Sequence, residues 1–166
     1  PTESPMRTVT ASVEVAAPPS AAWALYQDTA GTPAWVPFVE AVLETSGPVE
    51  VGMVYRERTR LLGATTVNTW EVVELVPERR RVEVSHDMGI DSRLTITFAP
   101  TARGTRIRQA TQVRSRLPRP IAWAHELVAA AGARHGLRGA VAGAARTLGT
   151  STGDAAGVRR RREGRR

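Results

Sequence analysis

Residues 92–114, SRLTITFAPTARGTRIRQATQVR, read as two amphipathic strands joined by a tight turn. Leu94, Ile96 and Phe98 alternate with Thr95 and Thr97; beyond the turn, Ile107, Gln109, Thr111 and Val113 alternate with arginines and a second glutamine. Period-two alternation gives each strand one buried and one wet face. The buried face of the second strand is half polar. A core-facing row that carries Gln109 and Thr111 points to a lined cavity rather than solid packing, and hence to a protein that holds something.

On the C-terminal side, Pro118 and Pro120 open an alanine-rich segment that reads as one long helix to about Leu148, since proline is tolerated in a first helical turn and nowhere deeper. Trp123, Leu127, Ala130, Leu137, Val141, Ala144 and Leu148 fall near one face. Glycines 132, 136, 139 and 143 weaken that helix, and the pair Gly139–Gly143 suggests close packing of helix on sheet. On the N-terminal side, residues 8–16 form a first strand and Pro18–Pro19 breaks it. Ser20 is placed to cap a short helix, and Trp35-Val36-Pro37 lies in a second helical turn. Strands are then expected at 39–46, 53–62, 65–76 and 81–86, with turns at Gly47-Pro48, Gly63 and Pro77–Arg80. The order is strand, two short helices, six strands, long helix. Strands joined by short turns must pair antiparallel, so a seven-stranded sheet leaves one apolar face that only the long helix is large enough to cover.

Composition narrows the chemistry. The 166 residues, 42% of them hydrophobic, make one domain with a real core, residues 1–149. Absence of cysteine excludes disulfides, thiolate nucleophiles and cysteine zinc sites. All 23 basic residues are arginine, which excludes Schiff-base lysine chemistry and a P-loop lysine. No apolar run is long enough to span a bilayer, and PTESPMRTVT lacks the apolar stretch of a signal peptide, so the expected location is cytoplasmic. His86, His125 and His135 show no metal-ligand spacing, and no cofactor is implied. From residue 150 onward, six arginines against Asp154 and Glu163 leave +4 of the net charge of +7. Residues 150–166 read as a disordered tail whose Arg159–Arg166 run is suited to weak, salt-sensitive polyanion contact.

The element order, with the words VEVAAPPSAAWAL (13–25), AWVPFV (34–39), VEVGMVYRER (49–58), ELVPERRRVEVSH (74–86) and LTITFAPTARGTRI (94–107), resembles the START-like, helix-grip superfamily of polyketide cyclase/dehydrases and lipid-transport proteins. The resemblance implies an α+β fold in which a seven-stranded antiparallel sheet curls around the C-terminal helix, with two short helices after strand 1 and a deep apolar cavity between sheet and helix. It implies a hydrophobic or aromatic small molecule as ligand and cyclisation or dehydration by proton transfer as the reaction. The alternatives are a non-catalytic lipid or ligand carrier and a partner-binding module whose cavity is filled by side chains. The tryptophan of the family's second helix aligns with Trp35. The arginines of its aromatase/cyclases fall at Leu75 and His86, and no tyrosine stands near Val42, so that catalytic set does not carry over.

Strand phase supplies candidate lining residues. Arg56, Arg58 and Arg60 share a face too costly to desolvate, so Tyr55, Glu57, Thr59 and Leu61 must face in. On 65–76 either Val67, Thr69, Glu71, Val73 and Leu75 or Asn68, Trp70, Val72 and Glu74 face in, and the resemblance favours the first set. On the next strand His86 shares the face of Val82 and Val84. Histidine titrates near neutrality, which makes His86 the candidate acid–base group, with Glu57 or Glu71 as a buried carboxylate partner. Trp35, Tyr55, Thr69, Ile96, Phe98, Gln109, Thr111, Trp123 and Leu127 complete the expected ligand-binding set. The plainer reading of His125 and His135 is surface histidine.

Overall fold

The structure is a computed structural model that describes residues 6–150; the arginine tail expected from 150 onward lies, beyond Thr150, outside the described residues. Seven strands, β1 (Arg7–Val15), β2 (Val39–Thr45), β3 (Val54–Leu61), β4 (Ala64–Val76), β5 (Arg80–Ser85), β6 (Ile90–Thr101) and β7 (Gly104–Ser115), form one antiparallel sheet in the order β1-β7-β6-β5-β4-β3-β2. Between β1 and β2 stand α1 (Pro19–Gln27) and a 3-10 turn, Thr32–Ala34. The last helix among the described residues is α2 (Ile121–Leu148), 28 residues long. This is the helix-grip architecture the resemblance implies, with two local differences. Ser20 lies inside α1, which starts at Pro19 without a side-chain cap, because proline already fixes the first-turn geometry. The second helical turn ends just ahead of Trp35, whose N–H bonds back to Thr32.

The main core lies where α1, the Trp35–Val39 segment and the C-terminal half of α2 meet β1, β6 and β7: Val15, Ala22, Tyr26, Trp35, Val39, Ile96, Phe98, Ile107, Ala140 and Ala144 are buried together. A second cluster, Val9, Ile90, Val113, Ala130 and Leu137, seats the N-terminal half of α2 on the sheet. The glycine pair of α2 does allow close approach, but to the Trp35–Phe38 segment rather than to the sheet. A Cβ at Gly143 would stand 1.8 Å from the Trp35 carbonyl oxygen, and one at Gly139 would touch Pro37 and Phe38.

The helix phase differs from expectation at its first two turns. Ala130, Leu137, Val141 and Ala144 are buried as the stripe requires, whereas Trp123 and Leu127 are exposed at 58% and 42%. The sheet-facing position is taken by Glu126, whose carboxylate accepts the Ser115 N–H at 3.0 Å and faces Arg7 at 3.5 Å. A buried, satisfied carboxylate rotates the apolar pair outward.

Candidate functional site

A cavity of about 570 Å³ lies between the curled sheet and α2. Its sheet wall comes from alternate residues of β3 to β7. Its helix wall is the stripe His125, Ala129, Gly132, Ala133, Gly136 and Ala140. Small side chains on that stripe leave the space open; a Cβ at Gly132 would meet nothing within 4 Å. The exposed Leu62, Met88 and Val128 also line it and so mark its mouth.

β3 turns inward as its arginines require: Tyr55, Glu57 and Thr59 are buried and line the cavity, with Leu61 beside them. The outward arginines meet carboxylates of β2, Arg56 with Glu44 at 3.3 Å and Arg58 with Glu40 at 3.2 Å. β4 adopts the other of its two phases. Leu61 pairs with Ala64 across the hairpin, so Tyr55 faces Trp70 and Glu57 faces Asn68, and directly paired residues share one face of a sheet. Trp70, Asn68 and Thr66 therefore line the cavity, and Thr69 and Glu71 do not, Glu71 being exposed. A register shift between Val72 and Glu74 then restores Leu75 to the side of Trp70 and Tyr55.

β5 is inverted relative to expectation. Arg81, Glu83 and Ser85 line the cavity, and His86 lies outside it with its side chain 66% exposed. His86 Nδ1 stands 2.8 Å from Asp91, a carboxylate held below its ordinary value first by that hydrogen bond and then by Arg114 and Arg116. The inversion has a clear physical reason. Arg81 and Glu83 sit two residues apart on one face, so their mutual attraction and the hydrogen bonds around them offset the desolvation cost that expels isolated arginines from β3. Arg81 Nε donates to Glu83 Oε1 at 2.7 Å, Nη1 to the Tyr26 carbonyl, and Nη2 to Thr29 Oγ1 at 3.4 Å. Tyr55 donates to Glu83 Oε2 at 3.1 Å. Arginine and glutamate are 3% and 2% exposed, so this is a fully buried and satisfied ion pair.

Glu57 is different. It is 8% exposed, and its donor among the described residues is the Trp70 indole, Nε1 to Oε1 at 3.1 Å. Burial, reinforced by the Glu83 carboxylate, raises its pKa from 4.5 to about 7, against the opposing pull of Trp70 and Arg81. Burial likewise holds the Tyr55 hydroxyl well above its ordinary range, so Tyr55 stays protonated and keeps its proton to donate to Glu83. The cavity thus contains one carboxyl poised to gain or lose a proton near neutrality, beside a charge pair that is locked.

Of the other expected residues, Trp35, Ile96, Gln109 and Thr111 line the cavity. Phe98 is buried in the main core instead, edge-on to Trp23 and Tyr26, while Trp123 and Leu127 face away. Tyr26, Arg81, Glu83 and His125 line it without having been expected, and Trp70 lines it in the phase of β4 that the resemblance did not favour. His125 Nδ1 lies 2.9 Å from Ser115 Oγ, which itself accepts the Leu117 N–H. The hairpin register could have revealed Trp70; nothing in the local sequence marked His125.

A sheet gripping one long helix around a cavity defines a START-like protein, and residues 6–150 match the family described as polyketide cyclase/dehydrase and lipid transport. The chain belongs to that family. Solved structures share the fold. The aromatase/cyclase Zhui from Streptomyces sp. R1128 superposes with a TM-score of 0.68 at 18% identity, over 86% of this chain and 96% of that one. A START superfamily protein from Mycobacterium smegmatis gives 0.64 at 15% identity, over 87% and 99%. The di-domain ARO/CYC BexL of the BE-7585A biosynthetic pathway gives 0.73 at 18% identity, over 90% of this chain and 52% of BexL, so the chain spans about half of it. A comparison with curated proteins finds no match.

Proposed function

We propose that the cavity binds a hydrophobic or aromatic small molecule of the polyketide type and promotes its cyclisation or dehydration by proton transfer, with Glu57 as the acid–base group. The observation that carries this reading is the Glu57 carboxyl, raised to about 7 in an apolar cavity with one indole donor. A general acid–base group works best when its pKa lies near the working pH. As a carboxylate, Glu57 takes the proton from a carbon next to a ligand carbonyl. As the resulting acid, it returns that proton either to the alkoxide formed by ring closure or to a departing hydroxyl, which leaves as water. One carboxyl thus serves both halves of an aldol cyclisation or a dehydration. The role expected of His86, with Glu71 as partner, falls to Glu57, because those two side chains lie outside the cavity. A volume of about 570 Å³ suits a drug-sized ligand, for which roughly 300 Å³ or more is needed, and speaks against a cavity filled by side chains.

The test compares wild type with Glu57→Gln on a synthetic β-hydroxy aryl ketone, following enone formation by absorbance. Wild type should turn over with a pH profile that bends near 7, and the variant should lose about 100-fold or more in rate while still binding the enone. Binding without turnover in wild type would establish the carrier reading instead. Unchanged turnover in the variant would remove Glu57 from the mechanism.

A further inference from the structure

The mouth of the cavity is apolar well beyond the cavity itself. Leu62, Met88 and Val128 stand there 67%, 65% and 69% exposed. Leu117, also exposed, adjoins the Met88-Gly89 turn, its Cδ2 3.9 Å from where a Cβ on Gly89 would lie. Ile121, Trp123 and Leu127 carry the patch along the first turns of α2. A continuous exposed apolar patch bordered by charge marks an interaction surface. The backbone gives a second sign. Leu62 and Met88 each precede a glycine in a turn and hold left-handed backbone, with φ of 51° and 54°. That conformation favours glycine or asparagine and costs a bulky residue on the order of 1–3 kcal/mol. Both rim turns thus present an apolar side chain to water at a cost in stability. The charge nearby has one sign. From Ser115 to Gly149 the chain has five arginines and one carboxylate, Glu126, which is buried against Ser115 and Arg7. Trp123, Leu127, Arg134 and Arg138 are exposed and follow one another at helical spacing, so the apolar stripe runs into a basic one. The carboxylates beside the rim are engaged, Asp87 by Thr69 and Ser85, Asp91 by His86, Arg114 and Arg116.

We propose that this rim docks on the surface of an anionic lipid bilayer, with Leu62, Met88, Leu127 and Val128 entering the headgroup layer and Arg134 and Arg138 meeting lipid phosphates. A fluid layer takes up apolar side chains from three separate elements without a matching pocket. It places tryptophan at its interface and lets arginine stems lie along apolar surface while their heads reach phosphate. A second copy of the chain would bring the same arginines to the contact twice, with no exposed carboxylate on this face of α2 to meet them. An acidic protein would meet the arginines but would need a groove shaped to all three elements. On a bilayer the cavity opens toward the lipid, so a hydrophobic ligand passes between the two without crossing water. This docking bears on where the ligand comes from and is independent of the chemistry assigned to Glu57.

The experiment mixes the full chain with vesicles of phosphatidylcholine, alone or with phosphatidylglycerol, and measures binding by flotation. Lipids brominated on the acyl chain report which tryptophan enters the layer. Trp123 is the exposed one of the four, and Trp123→Phe assigns its signal. Vesicles containing phosphatidylglycerol should bind about tenfold or more tighter than phosphatidylcholine alone, less so in high salt, and should quench Trp123. Leu127→Ser combined with Val128→Ser, and separately Arg134→Gln combined with Arg138→Gln, should each weaken binding about tenfold. Binding that leaves Trp123 unquenched and ignores both double variants would come from the arginines beyond Thr150 and would overturn the proposal. So would equal binding to both kinds of vesicle, or none to either. Emission from Trp123 that shifts with protein concentration in the absence of lipid would show a second copy on the rim and overturn it as well. Quenching in the wild-type chain is read without reliance on how the variants fold. Retained binding of the enone by a chain that ignores vesicles would leave the cavity reading intact.

Discussion

The two walls of the cavity are built on opposite principles. The sheet wall carries chemistry: Tyr55, Glu57, Trp70, Arg81, Glu83 and Gln109 bring hydrogen-bonding groups into an interior that a sheet of this size would otherwise fill with aliphatic side chains. The helix wall carries almost none. Its middle turns present Ala129, Gly132, Ala133, Gly136 and Ala140, which contribute room rather than contacts. The contrast teaches that α2 is shaped as much by what it leaves out as by what it buries. Glycine within a helix costs up to about 1 kcal/mol relative to alanine, so Gly132, which faces open space, is a stability sacrifice made where a ligand would sit. Polar groups on the sheet wall are likewise costly unless paired; Arg81, Glu83 and Tyr55 join one network, whereas Glu57 has a single indole donor among the described residues.

The largest expected effect comes from breaking the locked pair. Arg81→Ala leaves Glu83 buried with only Tyr55 as donor, and removing one partner of a buried ion pair costs about 3–5 kcal/mol. Chemical denaturation should show that loss, and Arg81→Met combined with Glu83→Met should recover much of it. Next comes the unlocked carboxyl. Because folding raises Glu57 from 4.5 to about 7, the folded protein keeps a proton that the unfolded chain releases between those values. Glu57 is therefore harmless at acid pH, and stability falls as pH rises from about 4.5 through 7, by on the order of 3 kcal/mol in all. Glu57→Gln should flatten that slope and be the more stable protein at alkaline pH, the opposite of its effect on turnover.

Smaller effects separate two glycines of α2. Gly143→Ala drives a Cβ to 1.8 Å from the Trp35 carbonyl oxygen, so helix or loop must shift, at about 1–3 kcal/mol. Gly132→Ala meets open space and should gain up to about 1 kcal/mol from helix propensity alone. The same substitution, eleven residues apart in one helix, thus changes sign according to whether the glycine faces backbone or cavity. Thermal unfolding of the two variants side by side checks this.

Most of the architecture was legible in the sequence because it rests on periodicity and turns: strand alternation, prolines before α2 and short hairpins leave little freedom in topology. The site was legible only in part. The inward orientation of Glu57 followed from the cost of burying Arg56, Arg58 and Arg60. The same rule misled on β5, because it treats each arginine singly, and Arg81 enters with its own counter-ion two residues away. On β4 the information was present in the two-residue turn at Leu62-Gly63, which ties its phase to that of β3. Trp123 and Leu127 misled because apolar periodicity does not register a buried glutamate, and Glu126 holds the inward position.

The central claim is that one carboxyl in this cavity titrates near neutrality and serves the ligand. Difference infrared spectroscopy of wild type against Glu57→Gln, followed across pH, isolates its protonated C=O band. The account predicts a band absent from the variant, losing intensity around a midpoint near 7 and shifting when 2-acetylnaphthalene binds. A midpoint at the ordinary value near 4.5, indifferent to the ketone, would contradict it.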